Sequence, residues 1–388
     1  MAGKLLEGIR VIDVTVWFTG PLTTQALADC GAEVIRLGTR SRTQGNVSGG
    51  RAINKKSITL NFQHPKGLEL AHKLVARSDI VVENHAAGTL TRRGLGYNDL
   101  RKVKPDIIYL STCMQGQTGP YSSHAAFGGM LTSLSGFSQI AGWPGEEPIS
   151  VGAYTDFVAP RFHVISIMGA LEYRRRTGKG QYLDASQNEG GMQLMTPLIL
   201  DYTANYRVAE SMGNKCAYAA PYDVFPCIGM DAWCAIAVFT DEEWRSLCLV
   251  IGAPALAEDS RFATLLARKE HEAELDKLVG EWTRTREAVD VMNMLQAAGV
   301  AAGLVETNEY QMESDPHLKA RKYFYEVVGP DGKMQRGNPG VQFTLSKTPF
   351  PERRLGSEIG EDNDSVFKEI LGLSDADIAE LIREKVID

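Results

Sequence analysis

The 388-residue chain lacks long apolar runs, an excess of basic residues and paired cysteines. No run of about 18 apolar residues occurs, so we expect no membrane-spanning helix. The formal net charge is −7 and the isoelectric point is about 5.6. Because no basic field covers the chain, we expect no nucleic-acid partner. The segment before Arg10 carries Glu7 and has no apolar core of signal-peptide length.

The cysteine pattern argues against a metal site. The six cysteines are scattered, and none of them forms a CxxC pair. No histidine cluster lies near them, so the ligand spacing of zinc sites is missing. Scattered cysteines in a chain of this size are typical of reduced thiols, and we expect a cytoplasmic location.

The first third of the chain alternates short apolar strands with helical patterns. This alternation is typical of parallel βαβ units and predicts an α/β fold with a doubly wound sheet. The predicted strands are residues 9–14, 33–37, 79–83 and 106–112, and the predicted helices are residues 21–30, 66–77 and 98–103.

The turn after the first predicted strand lacks the dinucleotide-binding motif. That motif needs GxGxxG at this place, so that the backbone can approach a pyrophosphate. The turn has only one glycine, Gly20, which follows the bulky pair Trp17 and Phe18 and precedes Pro21. The sequence therefore argues against NAD binding.

The remaining chain predicts two further changes of structure. Small residues dominate positions 116–152, which we interpret as a loop region, and a helix ending at 176, a strand at 181–185 and a helix at 189–204 follow. Beyond residue 205 we predict strands at 222–227 and 233–238 and helices at 241–251, 265–282 and 286–298. Strands at 325–328 and 341–345 and a helix at 375–385 complete the chain. We therefore predict a large domain over 1–205, a small α+β domain over 206–320, and a C-terminal part over 321–388 that returns to the large domain.

Asp156 is the candidate catalytic residue, with two interpretations. It lies among small residues before a long apolar helical pattern. An aspartate there can be the N-cap of the helix, since Asp is among the preferred cap residues. Alternatively, the helix N-terminus keeps the carboxylate ionised, so that it can act as a nucleophile. Taken alone, the segment favours the cap. His163, further along the same helix, is predicted to be a buried, hydrogen-bonded histidine.

Cationic residues cluster around the ends of several predicted strands. Ligands of open parallel sheets bind outside the carboxyl ends of the strands, so these residues could form a cationic rim suited to phosphates. They are Arg36, Arg40, Arg42, Lys55, Lys56, Arg92 and Arg93, together with the polar residues Asn84 and His85. The alternative is an ordinary solvated surface, the usual environment of Lys and Arg.

Several stretches, in this order and spacing, resemble the class III CoA-transferases of the CaiB/BaiF type, which include formyl-CoA transferase and carnitine CoA-transferase. The resemblance covers nearly the whole chain. The stretches are LEGIRVIDVT at 6–15, GAEVIRL at 31–37, NKKSITLN at 54–61, DIVVEN at 79–84, TDF around Asp156, and RRRTGKGQYLDASQ at 174–187.

The resemblance implies a fold, an assembly and a set of site residues. The family has a Rossmann-like doubly wound large domain formed by both chain ends, an inserted small α+β domain, and an interlocked dimer. Its catalytic aspartate corresponds to Asp156. Its CoA-contacting positions correspond to Phe18, Thr19, Arg36, Arg40, Leu60, Asn61, Asn84, His85, Arg92 and Phe127, the last within the segment 125–128. The resemblance implies a CoA thioester as substrate, with no prosthetic group and no metal.

The activity implied by the resemblance is CoA transfer from an acyl-CoA to a carboxylic acid. Asp156 would form a mixed anhydride and then an aspartyl-CoA thioester, which the acceptor acid resolves. Backbone N–H groups of Gly128 and Gly129 are candidate oxyanion donors. The partner would be a second copy of the chain or a related chain.

Two alternatives to a catalytic transferase stay open. Racemases of this family pair the aspartate with a histidine, and the corresponding position is Phe127, which cannot exchange a proton, so we favour the transferase. The other alternative is a non-catalytic subunit of a heteromeric transferase.

Departures from the family pattern bear on the substrate. Pro160 stands where many members have glycine. Proline is tolerated in the first turn of a helix, so we expect no disturbance of the backbone. The glycine-rich loop of formyl-CoA transferase has no counterpart at 205–230, which argues against formyl-CoA and oxalate. The runs at 220–227 and 233–244 look closer to members that act on larger organic acids, such as benzylsuccinate with succinyl-CoA as donor.

Overall fold

The computed structural model describes residues 3–38, 52–328, 334–339 and 341–387. The chain forms two compact units. The first unit comprises residues 1–139, 149–209 and 320–388, and the second comprises residues 140–148 and 210–319. Residues 140–148 thus belong to the second unit, whereas the sequence-based prediction assigned them to the large domain over 1–205. The boundaries at 205 and 320 stay a prediction.

A six-stranded parallel sheet is the main sheet of the first unit. Its strands are β1 (Arg10–Val14), β2 (Glu33–Gly38), β3 (Lys55–Thr59), β4 (Ile80–Glu83), β5 (Ile108–Cys113) and β6 (Tyr182–Ser186). The strand order is β3-β2-β1-β4-β5-β6, and every neighbouring pair is parallel. The predicted α/β fold with a parallel sheet is confirmed, and the strand order is the one found in doubly wound sheets.

Helices cover both faces of this sheet. The helices of this part of the chain are α1 (Thr19–Asp29), α2 (Pro65–Ala76), α3 (Tyr97–Val103), α4 (Gly128–Leu134), α5 (Phe137–Ile140), α6 (Tyr154–Thr177), α7 (Gln187–Met192) and α8 (Thr196–Asn205). Successive strand residues point to opposite faces, so Val11 packs with α1 and α6 while Ile12 packs with α2 and α3. Because both faces are covered, the inner strands carry buried apolar runs, although buried polar residues such as Asp13, Arg36 and Glu83 interrupt them.

A three-stranded antiparallel sheet organises the second unit. Its strands are β7 (Tyr222–Pro226), β8 (Trp233–Ala237) and β9 (Ala301–Leu304), and the helices of this part of the chain are α9 (Asp241–Val250), α10 (Leu265–Glu270), α11 (Glu272–Thr283), α12 (Ala288–Ala297), α13 (Asn308–Glu313) and α14 (Pro316–Ala320). Trp244, Phe262 and Leu275 are fully buried in its core. A capping box between Thr240 and Glu243 fixes the start of α9.

The C-terminal residues complete the core of the first unit. They form the hairpin strands β10 (Phe324–Val328) and β11 (Met334–Pro339) and the helices α15 (Asn363–Leu371) and α16 (Asp375–Arg383). Phe367 of α15 and Leu381 of α16 belong to the same buried cluster as Ile12 and Ile58 of the main sheet. Residues more than 300 positions apart in the chain thus share one core.

Several predicted elements differ from the observed ones. The predicted strand at 341–345 is wrong, because β11 is the strand that pairs with β10. The predicted helix at 189–204 is interrupted by a short 3₁₀ turn, Gln193–Met195, just before Pro197 in the first turn of α8. The predicted helix at 265–282 is two helices that meet at His271. The predicted loop at 116–152 contains α4 and α5.

Candidate active site

The strand order creates a crevice at the carboxyl ends of β1 and β4. The chain leaves β1 through α1 on one face of the sheet and reaches β4 through α2 on the other face, so the connections diverge here. Such a switch point is the usual ligand site of an open α/β sheet. Asn84 follows β4 and pairs with the backbone of Val16, accepting from its N–H at 2.8 Å and donating to its C=O at 2.7 Å. The His85 ring nitrogen Nε2 lies 2.9 Å from the C=O of Val14. Both side chains therefore hold the turn after β1.

A buried ion pair holds the base of the same turn. Lys55 Nζ lies 3.2 Å from Asp13 Oδ2, and both side chains are 1% exposed. Lys55 also donates to Thr24 Oγ1 at 2.7 Å and to the C=O of Pro21 at 2.9 Å. Burial lowers the pKa of Lys55, and the nearby Asp13 opposes this change. The network ties β1 and β3 to the first turns of α1.

The carboxylate of Asp156 lies beside the start of α1. Asp156 is the third residue of α6, whose N-cap is Ala153, so the N-cap interpretation of Asp156 is wrong. Its Oδ1 accepts hydrogen bonds from Gln187 Nε2 at 2.6 Å and from Thr19 Oγ1 at 3.2 Å. Gln187 Nε2 also donates to Thr19 Oγ1. Three elements, α1, α6 and α7, thus converge on one carboxylate oxygen.

Burial changes the acidity of this carboxyl group. It raises the pKa of Asp156, and the hydrogen bonds from Gln187 and Thr19 oppose the rise. A half-buried carboxylate is less solvated than an exposed one, so it is more basic. Burial therefore outweighs the hydrogen bonds in setting the acidity of this carboxyl group.

The second oxygen, Oδ2, lies against Gly128. A Cβ atom added to Gly128 would lie 2.5 Å from Asp156 Oδ2 and 2.6 Å from the Cβ of Ala153. Only glycine fits here, because real Cβ atoms do not approach other atoms so closely. Gly128 is the first residue of α4, whose first N–H groups have no acceptor within the helix.

Aromatic side chains lie next to Thr19 and Asp156 in the chain. The rings of Phe18 and Phe157 lie 6.1 Å apart between centroids. Phe18 is 41% exposed, Phe157 is 53% exposed and Trp17 is 60% exposed. Trp17 is thus not a core residue. Large aromatic side chains near the starts of α1 and α6 are therefore partly exposed to solvent.

The predicted CoA-contacting residues fall into two groups. Phe18, Thr19, Asn84 and His85 surround the crevice, and Phe127 directly precedes Gly128. Of the other predicted residues, Arg36 and Leu60 are buried, and Asn61 and Arg92 are exposed.

Arg36 is 5% exposed within β2, and Leu60 is fully buried, so a CoA contact of Leu60 would have to use its backbone. Asn61 is exposed and accepts from the N–H of Gln63 at 3.0 Å. Arg92 is exposed in the 3₁₀ turn Thr91–Arg93. Arg40, like Arg42, lies outside the described residues.

Two lysines of the predicted cationic rim are already paired. Lys55 is buried against Asp13, and Lys56 Nζ lies 2.8 Å from Glu33 Oε1. A phosphate could recruit Lys55 only by breaking the buried network. The phosphate-binding role predicted for Lys55 is therefore wrong, because Lys55 supports the turn instead, whereas the role of Lys56 stays a prediction.

His163 joins the helices that carry the site. It is 3% exposed, and its ring nitrogens lie 3.1 Å from Thr23 Oγ1 of α1 and 3.1 Å from Thr112 Oγ1 of β5. Burial lowers the pKa of His163 to about 4, so the ring is neutral at neutral pH. The prediction of a buried, hydrogen-bonded histidine is confirmed.

Gln187 is the site residue that the sequence reasoning missed. It is 7% exposed and is the first residue of α7, directly after β6. The N-cap Ser186, whose hydroxyl accepts from the N–H of Glu189, marks this position in the sequence. A polar residue between the carboxyl end of a parallel strand and a helix start was the available signal.

In the described part of the chain, no group of three or more His, Cys, Asp or Glu side chains could hold a metal ion. No described helix has the length and apolarity needed to cross a bilayer.

Comparison with known proteins identifies the class of enzyme. The sequence profile described as "CoA-transferase family III" matches residues 6–363. The chain is 35% identical over 397 residues to succinyl-CoA–D-citramalate CoA-transferase of Chloroflexus aurantiacus, covering 98% of each chain. It is 32% identical over 399 residues to the beta subunit of succinyl-CoA–L-malate CoA-transferase of the same organism, again covering 98% of each chain.

A solved structure has the same fold. A CaiB/BaiF family protein from Brucella suis superposes with a TM-score of 0.84 at 30% identity, covering 95% of this chain and 100% of that one. The chain belongs to CoA-transferase family III, and it is a CoA-transferase.

Proposed function

We propose that the enzyme transfers CoA from succinyl-CoA to a dicarboxylic acid, with Asp156 as the nucleophile. The observation that carries this proposal is the environment of the Asp156 carboxylate. One oxygen is held by Gln187 and Thr19, and the other lies against a glycine at the switch point of the sheet. The hydrogen bonds from Gln187 and Thr19 engage Oδ1, so we propose Oδ2 as the oxygen that attacks the carbonyl.

The proposed reaction proceeds by attack of Asp156 on the thioester carbonyl of the donor. The carbon–sulfur bond breaks, a mixed anhydride forms and the CoA thiolate leaves. The thiolate then attacks Cγ of Asp156, which releases the donor acid and gives an aspartyl-CoA thioester. The acceptor carboxylate attacks the same carbon, forms a second anhydride and frees the thiolate again. Attack of the thiolate on the acceptor carbonyl completes the transfer and regenerates the carboxylate.

The names of the relatives support the choice of substrates. Both have succinyl-CoA as donor and a hydroxylated dicarboxylic acid as acceptor. We therefore propose a small dicarboxylic acid as acceptor. Benzylsuccinate is a substituted dicarboxylic acid, and it belongs in the same test panel as malate, citramalate and glutarate.

We also propose that the enzyme works as an interlocked dimer. Large apolar side chains are exposed on or next to helices of the first unit, as expected for a surface that a partner covers. They are Phe127, Met130, Leu134, Ile165, Leu200 and Tyr202. Because one relative is a named beta subunit, the partner is either a second copy or a related chain. Light scattering of the purified chain, alone and at increasing concentration, measures this directly.

The nucleophile is tested by trapping. The protein is incubated with succinyl-CoA alone and then with hydroxylamine, and the peptide that contains Asp156 is analysed by mass spectrometry. We expect a hydroxamate on Asp156 in the wild type and loss of adduct and turnover in Asp156→Ala. Glu69→Gln, a change of an exposed acidic residue on α2, is the control and should retain both. Full turnover by purified Asp156→Ala would refute Asp156 as the nucleophile. If Asp156→Ala is inactive alone but fully active in a complex with a related chain, this chain is a non-catalytic subunit.

The racemase alternative makes a separate prediction. A racemase needs two acid–base groups facing the alpha carbon, and Phe127 has no exchangeable proton. We expect no deuterium uptake at the alpha carbon of a 2-methylacyl-CoA in D2O without an acceptor acid. Steady uptake that depends on Asp156 would favour the racemase over the transferase.

A further inference from the structure

The hydrogen bonds around Asp156 are arranged asymmetrically. Nε2 of Gln187 has two protons, and it donates to Asp156 Oδ1 and to Thr19 Oγ1. Thr19 Oγ1 has one proton, and it donates to Asp156 Oδ1. Every proton of this triangle is therefore used, and both side chains direct a donor at the same oxygen.

The chemistry makes different demands on the two oxygens. In the reaction proposed above, Oδ2 forms the bond to the acyl carbon and leaves with the donor acid. Oδ1 remains on Cγ throughout. When the thiolate or the acceptor carboxylate attacks Cγ, the carbonyl at Oδ1 becomes a tetrahedral alkoxide and takes the negative charge. Collapse returns the electron pair to the C–O bond and expels either the donor carboxylate or the thiolate.

We propose that the Gln187 amide and the Thr19 hydroxyl form an oxyanion hole for the enzyme's own acyl group, the carbonyl of Asp156. This inference rests on the proposed function. The two donors stabilise the alkoxide at Oδ1 during formation and breakdown of the aspartyl-CoA thioester. They contribute nothing comparable to the first attack, in which charge moves away from the Asp156 carboxylate.

The surroundings hold both donors in place before the reaction, as an oxyanion hole requires. Thr19 lies in the first turn of α1, and the hydroxyl of Thr23 donates to its C=O at 2.8 Å. Gln187 follows β6, which pairs in register with β5 through Cys113 and Ser186. Asn188, the next residue, donates its N–H to the C=O of Met114 at 3.0 Å. Gln187 and Thr19 are 7% and 4% exposed, so water competes little for their protons.

The test compares single-turnover kinetics of variants that keep volume and lose a donor. Succinyl-CoA is mixed with excess enzyme, without acceptor, and the aspartyl-CoA adduct and released succinate are quantified by rapid quench. We expect Gln187→Leu to form the adduct about 10²- to 10³-fold more slowly, the usual loss for one oxyanion donor. The KM for succinyl-CoA should stay within a few-fold of the wild type, because the amide contacts the nucleophile and not the substrate.

Thr19 provides a matched pair that does not depend on the folding of the Gln187 variant. Thr19→Val removes the hydroxyl at nearly constant volume, and we expect adduct formation to slow by about 10-fold or more. Thr19→Ser keeps the hydroxyl and should stay near the wild-type rate. If Thr19 had only a structural role, its substitution would instead change KM and the thermal midpoint. The rates of Thr19→Val and Thr19→Ser would then not differ according to the presence of the hydroxyl.

The outcomes separate this inference from the proposed function. If the wild type forms no adduct on Asp156, the nucleophile itself is wrong and the oxyanion hole falls with it. If the wild type forms the adduct and both Gln187→Leu and Thr19→Val form it at the wild-type rate, only the oxyanion hole is refuted.

Discussion

The two oxygens of Asp156 have different neighbours, and this difference was not predictable from the residue type. Oδ1 faces two hydrogen-bond donors, whereas Oδ2 faces the Cα of a glycine. The aspartate itself was found from its helix context and from the family motif. In the sequence Gln187 is only the last residue of a matching stretch, because its role depends on β6 ending next to α6, a contact between distant residues.

The close approach of Gly128 to Asp156 gives a prediction at the scale of one methyl group. In Gly128→Ala the new Cβ would lie 2.5 Å from Asp156 Oδ2 and 2.6 Å from the Cβ of Ala153. Both distances are too short, so the new methyl group would push Asp156 and Ala153 away from α4. We expect kcat to fall about 100-fold, the effect of misplacing a reacting group by roughly 1 Å. Steady-state kinetics with succinyl-CoA and malate measures the loss.

The neighbouring glycine is the control. A Cβ on Gly129 would meet its nearest atoms at 3.8 Å and 4.0 Å, which are ordinary contacts. Gly129→Ala should therefore keep near wild-type kinetics, and the better helix propensity of Ala should slightly favour α4. Equal losses in both variants would mean that any change in α4 disturbs the site, and the specific contact with Asp156 would lose its support.

At the scale of elements, the turn between β1 and α1 depends on buried polar contacts. Asp13 on β1 receives donors from Lys55 on β3 and from Thr24 on α1. The network adds buried polar contacts to the apolar packing of Val11 against α1. It orients the first turn of α1, and so the hydroxyl of Thr19, toward Asp156.

Adjacent lysines test whether burial gives this network its strength. Lys55→Met leaves the Asp13 carboxylate buried without its cation, and we expect a loss of about 3–5 kcal/mol in the free energy of unfolding. Lys56→Met breaks an ion pair whose side chains are 34% and 33% exposed, so the expected loss is about 0–1 kcal/mol. Urea unfolding of both variants measures the difference. Similar values for the two would show that the Asp13–Lys55 pair adds no more than a surface pair.

The elements that were predicted correctly are those whose patterns are local. β1, β2, β4 and β5 each contain a short apolar run, and α1 ends just before Gly31. The errors arise where the pairing partner decides the structure. Residues 341–345 have a strand-like pattern, yet β10 pairs with β11, because a short connection brings an antiparallel neighbour together more easily than a long one. β9 lies more than 60 residues after its partner β8, so the local pattern did not reveal it.

At the scale of the whole molecule, two buried titratable groups give opposite pH dependences to stability. Burial lowers the pKa of His163 from 6.5 to about 4. Burial raises the pKa of Glu83 from 4.5 to about 7, and hydrogen bonds from Ser111 and from the N–H of His85 oppose the rise. Between about pH 4.5 and 6.5, His163 is therefore largely neutral and Glu83 largely protonated in the folded chain. In the unfolded chain both side chains would be largely charged over this pH range.

The signs follow from the number of bound protons. Between pH 4 and 6.5 the unfolded chain binds more protons at His163 than the folded chain, so this residue makes stability rise with pH. Between pH 4.5 and 7 the folded chain binds more protons at Glu83, so this residue makes stability fall with pH. Each slope reaches at most about 1.4 kcal/mol per pH unit. Over the shared range the two contributions cancel in part, and the wild-type profile is flatter than either residue alone would make it.

Separate neutral substitutions uncover the hidden slopes. His163→Gln keeps groups that can bond Thr23 and Thr112, and its stability relative to the wild type should be highest near the acidic end of the range and decline toward pH 6.5. Glu83→Gln should show the reverse, gaining on the wild type from pH 4.5 toward pH 7. Urea unfolding at a series of pH values gives both differences, and all other titrating groups cancel in the comparison with the wild type. Parallel pH profiles for the wild type and either variant would mean that the residue concerned has the same pKa folded and unfolded, and that its burial is relieved by contacts other than those described.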